Sequence, residues 1–214
     1  MGTKTYLYLH GFASSPASKK AEYLRDRFAS LSINLNIPDL NQGDFSHLTL
    51  TRQLQQIPTE LSPDTSDIVV IGSSFGGLTA ARFAEQNLSV KRLILLAPAF
   101  NFLSEWFPKL GAEKLNLWKT QGYLSIYHYA EKQNLPLHYD FLEDLAQYPD
   151  EQLQRQIPTL ILHGINDEVI PIQASQNYAA QRPWVSLIEL NSDHSLDNVL
   201  GEIWQEIRNF LEED

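Results

Sequence analysis

Apolar residues along this chain fall into two alternating periods. Short β-prone runs recur at residues 5–9 (TYLYL), 33–37, 68–71 (IVVI), 92–97 (RLILLA), 159–163 (TLILH) and 185–190. Runs apolar at consecutive positions, such as IVVI, are what a parallel strand buried on both faces requires, whereas 33–37 alternates and reads as a half-buried edge strand. Between the runs the spacing becomes three and four. Ala21, Leu24, Phe28 and Leu31 share one helical face behind a candidate N-cap at Ser18, and a further helix is expected over 47–61 until Pro58 breaks it. Leu196, Val199, Leu200, Ile203, Ile207 and Phe210 share one face of a closing helix over 196–211. This alternation predicts a doubly wound, mostly parallel α/β sheet of about six strands in spatial order 2-1-3-4-5-6.

Residues 99–157 interrupt the alternation and are too long for a simple crossover. Helical spacing is present over 103–110, 122–133 and 139–145, and 11 of the 23 aromatic residues lie between Phe100 and Tyr148. Such aromatic density does not belong to a solvated loop. The expectation is a single domain over 1–214 with 99–157 as an inserted helical cap. Trp106, Phe107, Trp118, Tyr123 and Tyr127 are its candidate pocket residues, although each aromatic could instead bury the cap against the sheet.

Composition narrows the chemistry. A hydrophobic fraction of 43% with 20% charged residues is that of an ordinary globular domain, and a net charge of −10 disfavours nucleic acid and anionic membrane as partners. The absence of cysteine excludes thiol nucleophiles, thiolate metal sites and disulfides. His47, His128, His138 and His163 lack close ligand spacing, so no metal and no cofactor is expected; His128 and His138 are possible polar groups of the cap pocket. The opening MGTKTYLYLHGF has too short an apolar run for a signal peptide, and no stretch approaches 18 apolar residues. A cytoplasmic protein without membrane insertion is expected. No pattern in the chain speaks to its oligomeric state.

The stretch DIVVIGSSFGGLTAARFAE carries the strongest chemical pattern. A β-branched run stops at Gly72, and beyond Gly77 the spacing is helical, so Gly72-x-Ser74-x-Gly76 sits on a strand-to-helix turn. Such a turn exposes its serine hydroxyl, and close crossing of the chain requires flanking residues without Cβ. By composition alone the bare pattern arises in roughly one chain in fifteen of this length, so its context carries the weight. A glycine-rich packing or phosphate-binding turn is the alternative, but neither a GKS/GKT ending nor G-x-G-x-x-G is present.

A serine nucleophile needs a base, and the base an orienting acid. Asp167 lies in HGINDEVIP after the TLILH strand, and His194 lies in NSDHS after the final strand, both at carboxyl ends of parallel strands like Ser74. Glu168 and Asp193 are the alternative acids. The order Ser, Asp, His is that of the α/β-hydrolase fold. In that fold one oxyanion donor follows the nucleophile, here the Phe75 N–H, and the other comes from the turn after the neighbouring strand, here the Phe12 N–H of His10-Gly11-Phe12. His10 fits a bracing role better than that of a base.

The start YLYLHGFASSPASKKAEYL, with GSSFGG, HGINDEVIP and DHSL, resembles the YqiA/YcfP-like esterases of the α/β-hydrolase superfamily. The resemblance implies cofactor-free hydrolysis of small-molecule esters, of small or medium acyl groups, through an acyl-enzyme on Ser74, with His194 as base and Asp167 as its orienting acid. Acylation is expected to fall on acidification, because only neutral imidazole accepts the proton. Two other readings stay open: a thioesterase acting on acyl-CoA, acyl carrier or acylated protein, and a ligand-binding protein that keeps the fold without turnover.

Overall fold

The computed structural model describes residues 3–212. In chain order, β1 (Thr3–Leu9) leads through a loop to α1 (Lys19–Ser30), followed by the two-residue strand β2 (Leu35–Asn36) and α2 (Leu50–Gln56). Then come β3 (Thr65–Ser73), α3 (Phe75–Gln86) and β4 (Val90–Leu96). The insertion carries α4 (Phe102–Leu110), α5 (Ala112–Gln121), β5 (Tyr123–His128), β6 (Gln133–His138) and α6 (Asp140–Leu145). The chain closes with β7 (Thr159–Gly164), α7 (Ile172–Ala180), β8 (Val185–Leu190) and α8 (Leu200–Glu212).

The main sheet is wholly parallel in the order β2-β1-β3-β4-β7-β8, matching the order expected from the sequence. Side-chain alternation divides it between two cores. Leu7, Leu9, Ile68, Val70, Leu93, Leu95 and Ile161 face α2, α3 and the insertion. Tyr8, Val69, Ile71, Ile94, Leu96, Leu160 and Leu162 face α1 and α8. β3 is buried from Ile68 to Ser73, as expected of a central strand, and its carboxyl end delivers Ser74 to the sheet edge.

Several element boundaries differ from the sequence expectation. The helix expected over 47–61 is α2 flanked by 3-10 turns at Phe45–His47 and Ile57–Glu60. Thr49 caps α2 by accepting from the Arg52 N–H, and Pro58 removes a donor from the last turn. The closing helix begins at Leu200, because Leu196 adopts a left-handed backbone (φ 56°) followed by a 3-10 turn. Ser18 occupies the N-cap position of α1, yet its side chain makes no capping hydrogen bond.

The insertion is not purely helical. Residues 122–133, which the three-and-four spacing assigned to a helix, lie mostly in an antiparallel hairpin of β5 and β6. The deciding period is two: Leu124 and His128 are buried while Tyr123, Ser125 and Tyr127 are exposed. Gly122 at φ 81° stops α5 just before the hairpin. α5 went unanticipated because AEKLNLWKTQ is polar nearly all round and buries only Trp118.

One buried ion pair ties the insertion to α3. Arg82, only 3% exposed, bonds the Asp150 carboxylate at 3.1 Å and the Tyr148 carbonyl, while Asp150 also accepts from the Asn101 N–H at 2.6 Å. Burial pushes Asp150 up and Arg82 down, so desolvation outweighs their attraction in both. Removing one partner strands the other charge. Asp150→Ala is therefore expected to cost about 3 kcal/mol, read as a drop in the urea midpoint.

Candidate active site

Ser74 stands on a sharp turn between β3 and α3 with φ 53° and ψ −120°. Its N–H donates to Leu96 O (2.9 Å), and its own carbonyl accepts from Gly77 (2.8 Å) and Ala99 (3.0 Å), so the turn is tied to both flanking segments. The Ser74 hydroxyl lies 3.0 Å from His194 Nε2, and His194 Nδ1 lies 2.7 Å from Asp167 Oδ2. Three loops, after β3, β7 and β8, thus bring together the three side chains singled out in the sequence. The imidazole is 19% exposed, whereas the Asp167 side chain is out of contact with solvent.

The alternative acids are occupied elsewhere. Glu168 faces the His194 backbone N–H at 3.5 Å, and Asp193 accepts from the Ser195 N–H and hydroxyl within its own turn. Asp167 has four donors. Oδ1 accepts from the Val169 and Ile170 N–H groups, each at 2.8 Å, and Oδ2 accepts from His194 and from His163 Nε2 at 3.1 Å. Burial alone would raise this carboxyl, but the hydrogen bonds from His163 and His194, with the His194 charge and the Ile170 N–H, hold it well below the usual carboxylate range.

His163 is a further partner of Asp167, a contact that the sequence reading does not single out. It is fully buried at the end of β7, with Nδ1 2.7 Å from the Ser175 hydroxyl and Nε2 3.0 Å from Ile170 O. Since Nε2 faces a carbonyl and a carboxylate, it carries the proton, and Ser175 donates to Nδ1. The available signal was its place four residues before Asp167, directly after the apolar run Leu160–Leu162 of a buried strand.

The HGF turn is braced in a comparable way. His10 is buried, and its Nε2 accepts from the Leu40 N–H (2.9 Å), leaving Nδ1–H to donate to Gly11 O at 3.0 Å. A trans peptide sends C=O and N–H in opposite directions, so pinning the Gly11 carbonyl also aims the Phe12 N–H. Among the described residues that N–H makes no hydrogen bond. The Phe12 ring is held by Phe141 (5.3 Å), Phe45 (5.5 Å) and Trp106 (5.9 Å). Phe75 opens α3, where an N–H has no intrahelical partner.

A cavity of about 710 Å³ contains Ser74 and His194. Trp106 and Tyr127 line it, joined by Phe102, Leu110, Ile126 and Tyr129 from the insertion. Trp118 and Tyr123, also expected there, stand elsewhere. Trp118 is buried, donating Nε1–H to Leu137 O at 2.8 Å, and Tyr123 projects from the hairpin to place its hydroxyl 3.1 Å from His47 Nε2. Phe107 lies on α4, and its side chain falls outside the described residues. His128 is buried edge-on against Phe45, and His138 pairs with Asp140; neither reaches the cavity. Among the described residues no three or more His, Asp or Glu side chains converge as a metal site, and no helix is long and apolar enough to cross a membrane.

A parallel sheet of order 2-1-3-4-5-6 with a strained serine elbow after its third strand defines the class: the protein has the α/β-hydrolase fold. Residues 5–212 match the family model described as Uncharacterised protein family (UPF0227), and the chain belongs to that family, the one its HGF, GSSFGG and DHSL motifs resemble. No curated protein matches the sequence. Among solved structures, a putative hydrolase from Agrobacterium vitis S4 superposes with a TM-score of 0.86 at 23% identity, covering 98% of this chain and 88% of that one. Mouse alpha/beta hydrolase domain-containing protein 10 gives 0.83 at 20% identity, covering 100% and 92%. Est1E from Butyrivibrio proteoclasticus with ferulic acid bound gives 0.79 at 19%, covering 99% and 89%. At these identities the likeness is one of fold.

Proposed function

We propose that the protein is a serine hydrolase of carboxylic esters carrying small or medium acyl groups. The observation that carries this reading is the unbroken line from the Ser74 hydroxyl through His194 to a buried, fully hydrogen-bonded Asp167. Because Asp167 accepts at Nδ1, the neutral imidazole keeps its proton there and turns the Nε2 lone pair towards Ser74. Ser74 Oγ attacks the acyl carbon as its proton passes to Nε2. The Phe12 and Phe75 N–H groups bind the developing oxyanion, the larger part of barrier lowering in such sites. His194 then protonates the leaving group, and afterwards takes a proton from the water that deacylates Ser74. Proteins of similar fold, which include Est1E from Butyrivibrio proteoclasticus and a monoacylglycerol lipase from Paleococcus ferrophilus, agree with acyl-ester chemistry. An acyl thioester meets the same machinery, and rates on a matched oxygen ester and thioester separate the two.

The test is covalent labelling by a fluorophosphonate, read as intact mass. Wild type is expected to gain one adduct and Ser74→Ala none. A folded wild type that stays unlabelled at high probe concentration removes the proposal and favours a ligand-binding role.

A further inference from the structure

The cavity at Ser74 has two unlike ends. One, under the insertion, is aromatic and aliphatic; the other lies against the opening of α1 and is polar, lined by Tyr8, Ser18, Lys19, Lys20, Ser73, Ser195 and Asp197. Tyr8 is the unusual member. Its side chain is fully buried, it contributes to the cavity wall, and its hydroxyl has no hydrogen-bond partner. Burial pushes the phenol far up; the Ser73 and Ser18 hydroxyls are near enough to oppose this, yet neither reaches it in hydrogen-bond geometry. A buried donor left without a partner behind a cavity wall can turn to a ligand acceptor that enters there.

The neighbouring groups set the sign of that acceptor. α1 is a twelve-residue helix whose first turn is not capped by Ser18, so unpaired N–H groups and the positive end of the helix dipole meet the same cavity end. Two ammonium groups stand beside it. Lys19 Nζ pairs with Asp197 at 3.2 Å across an exposed contact that a competing oxyanion can displace, and Lys20 Nζ donates to Ser195 O at 2.5 Å. Among the described residues Lys20 makes no ion pair; burial pushes its ammonium below the usual lysine range, and Asp197, Asp193 and Asp167 at longer range oppose this only in part. In a chain of net charge −10, this places adjacent cations and a buried, unpartnered phenol in the wall of one cavity, which Glu168 and Asp197 also line.

We infer that this polar end binds an oxyanion, a carboxylate or a phosphate, carried on the leaving alcohol or thiol of the substrate. The inference rests on the ester-hydrolase reading above. The assignment to the leaving group follows from His194: its loop supplies Ser195 and Asp197 to the same wall, and His194 must reach the departing oxygen or sulfur. The acyl chain then occupies the apolar end under Trp106 and Ile126.

The test uses butyrate esters of phenol, 3-hydroxybenzoate and 3-hydroxyphenyl phosphate, which hold the acyl group constant and vary only the charge on the leaving group. At least one charged ester is expected to exceed phenyl butyrate about tenfold in kcat/KM, chiefly through KM, and the better of the two identifies the oxyanion. In Tyr8→Phe, and separately in Lys20→Gln, that charged-to-neutral ratio is expected to fall about tenfold. Tyr8→Phe deletes only an unpartnered hydroxyl, and thermal unfolding checks that both variants are folded. A neutral ester hydrolysed as well as both charged ones, or a ratio unchanged in both variants, overturns the inference while leaving the hydrolase reading intact. If no ester is hydrolysed and the fluorophosphonate does not react, the hydrolase reading falls, and calorimetry with 3-hydroxybenzoate and phenyl phosphate decides the subsite alone. Binding weakened about tenfold by Tyr8→Phe sustains an oxyanion site; equal or absent binding overturns it.

Discussion

Asp167→Asn is expected to lower kcat for an ester substrate about 10,000-fold while the protein stays folded. Two backbone N–H groups, from Val169 and Ile170, point at Oδ1, so in the variant only the amide oxygen can take that place. The amide nitrogen is then forced into the position of Oδ2, facing His194 Nδ1 and His163 Nε2. A donor opposite Nδ1 selects the other tautomer of His194, which turns N–H rather than a lone pair towards Ser74 and removes the base. His163 keeps Ile170 O and Ser175 as partners but loses its acceptor on Oδ2. The measurement is kcat with 4-nitrophenyl butyrate beside a circular-dichroism spectrum. A loss under tenfold would mean that Asp167 does not set the tautomer.

The same variant makes a pH prediction for stability. The folded-state pKa of Asp167 is depressed, so its contribution is present above the unfolded carboxyl value of about 4 and is lost as pH falls below it. Asparagine does not titrate. The gap in urea stability between wild type and Asp167→Asn should be widest near neutrality and narrow on acidification towards pH 3. A gap that stayed constant would contradict the hydrogen-bond account of the carboxylate.

Gly76→Ala is expected to abolish folding, or to cost more than about 4 kcal/mol if any folded protein is recovered. A Cβ at Gly76 would lie 2.2 Å from Leu9 O and 2.4 Å from His10 O. Extra methyl groups in a core usually cost about 1–3 kcal/mol because side chains give way. Here the obstacles are backbone carbonyls at the end of β1, in register with β3, and neither strand can move without the other. The same change at Gly201, near the start of α8 with nothing within 4 Å, should instead stabilise by about 0.5 kcal/mol. Thermal unfolding of the pair reads both signs. A Gly76→Ala protein melting within a few degrees of wild type would mean that the turn is looser than its packing indicates.

The legible parts of the site share one property: each is encoded within a few consecutive residues. The serine elbow needs glycine two before and two after Ser74, and the parallel strands announce themselves by consecutive apolar residues. The illegible parts depend on contacts between distant segments. The hairpin at 123–138 was obscured because its residues also fit a helical spacing, and only packing against the turn at Phe45 and the core selected period two. Trp118 and Trp106 look alike as pocket residues in the sequence; one is sealed against Leu137 and the other faces the cavity.

By itself the sequence determined the sheet and its strand order, the elbow at Ser74, and the three loops from which Ser74, Asp167 and His194 project, because local periodicity and glycine placement encode strands and turns directly. Only the tertiary structure decided which carboxylate meets the imidazole, that His163 completes the environment of Asp167 and His10 that of Gly11, which aromatics face the cavity, and that Tyr8 and Lys20 share it with Ser74. Those relations join residues up to 120 positions apart, as Ser74 and His194 are. Hydrogen bonds and packing over such separations arise from how the loops converge at one edge of the sheet, and no local pattern of residues records that convergence.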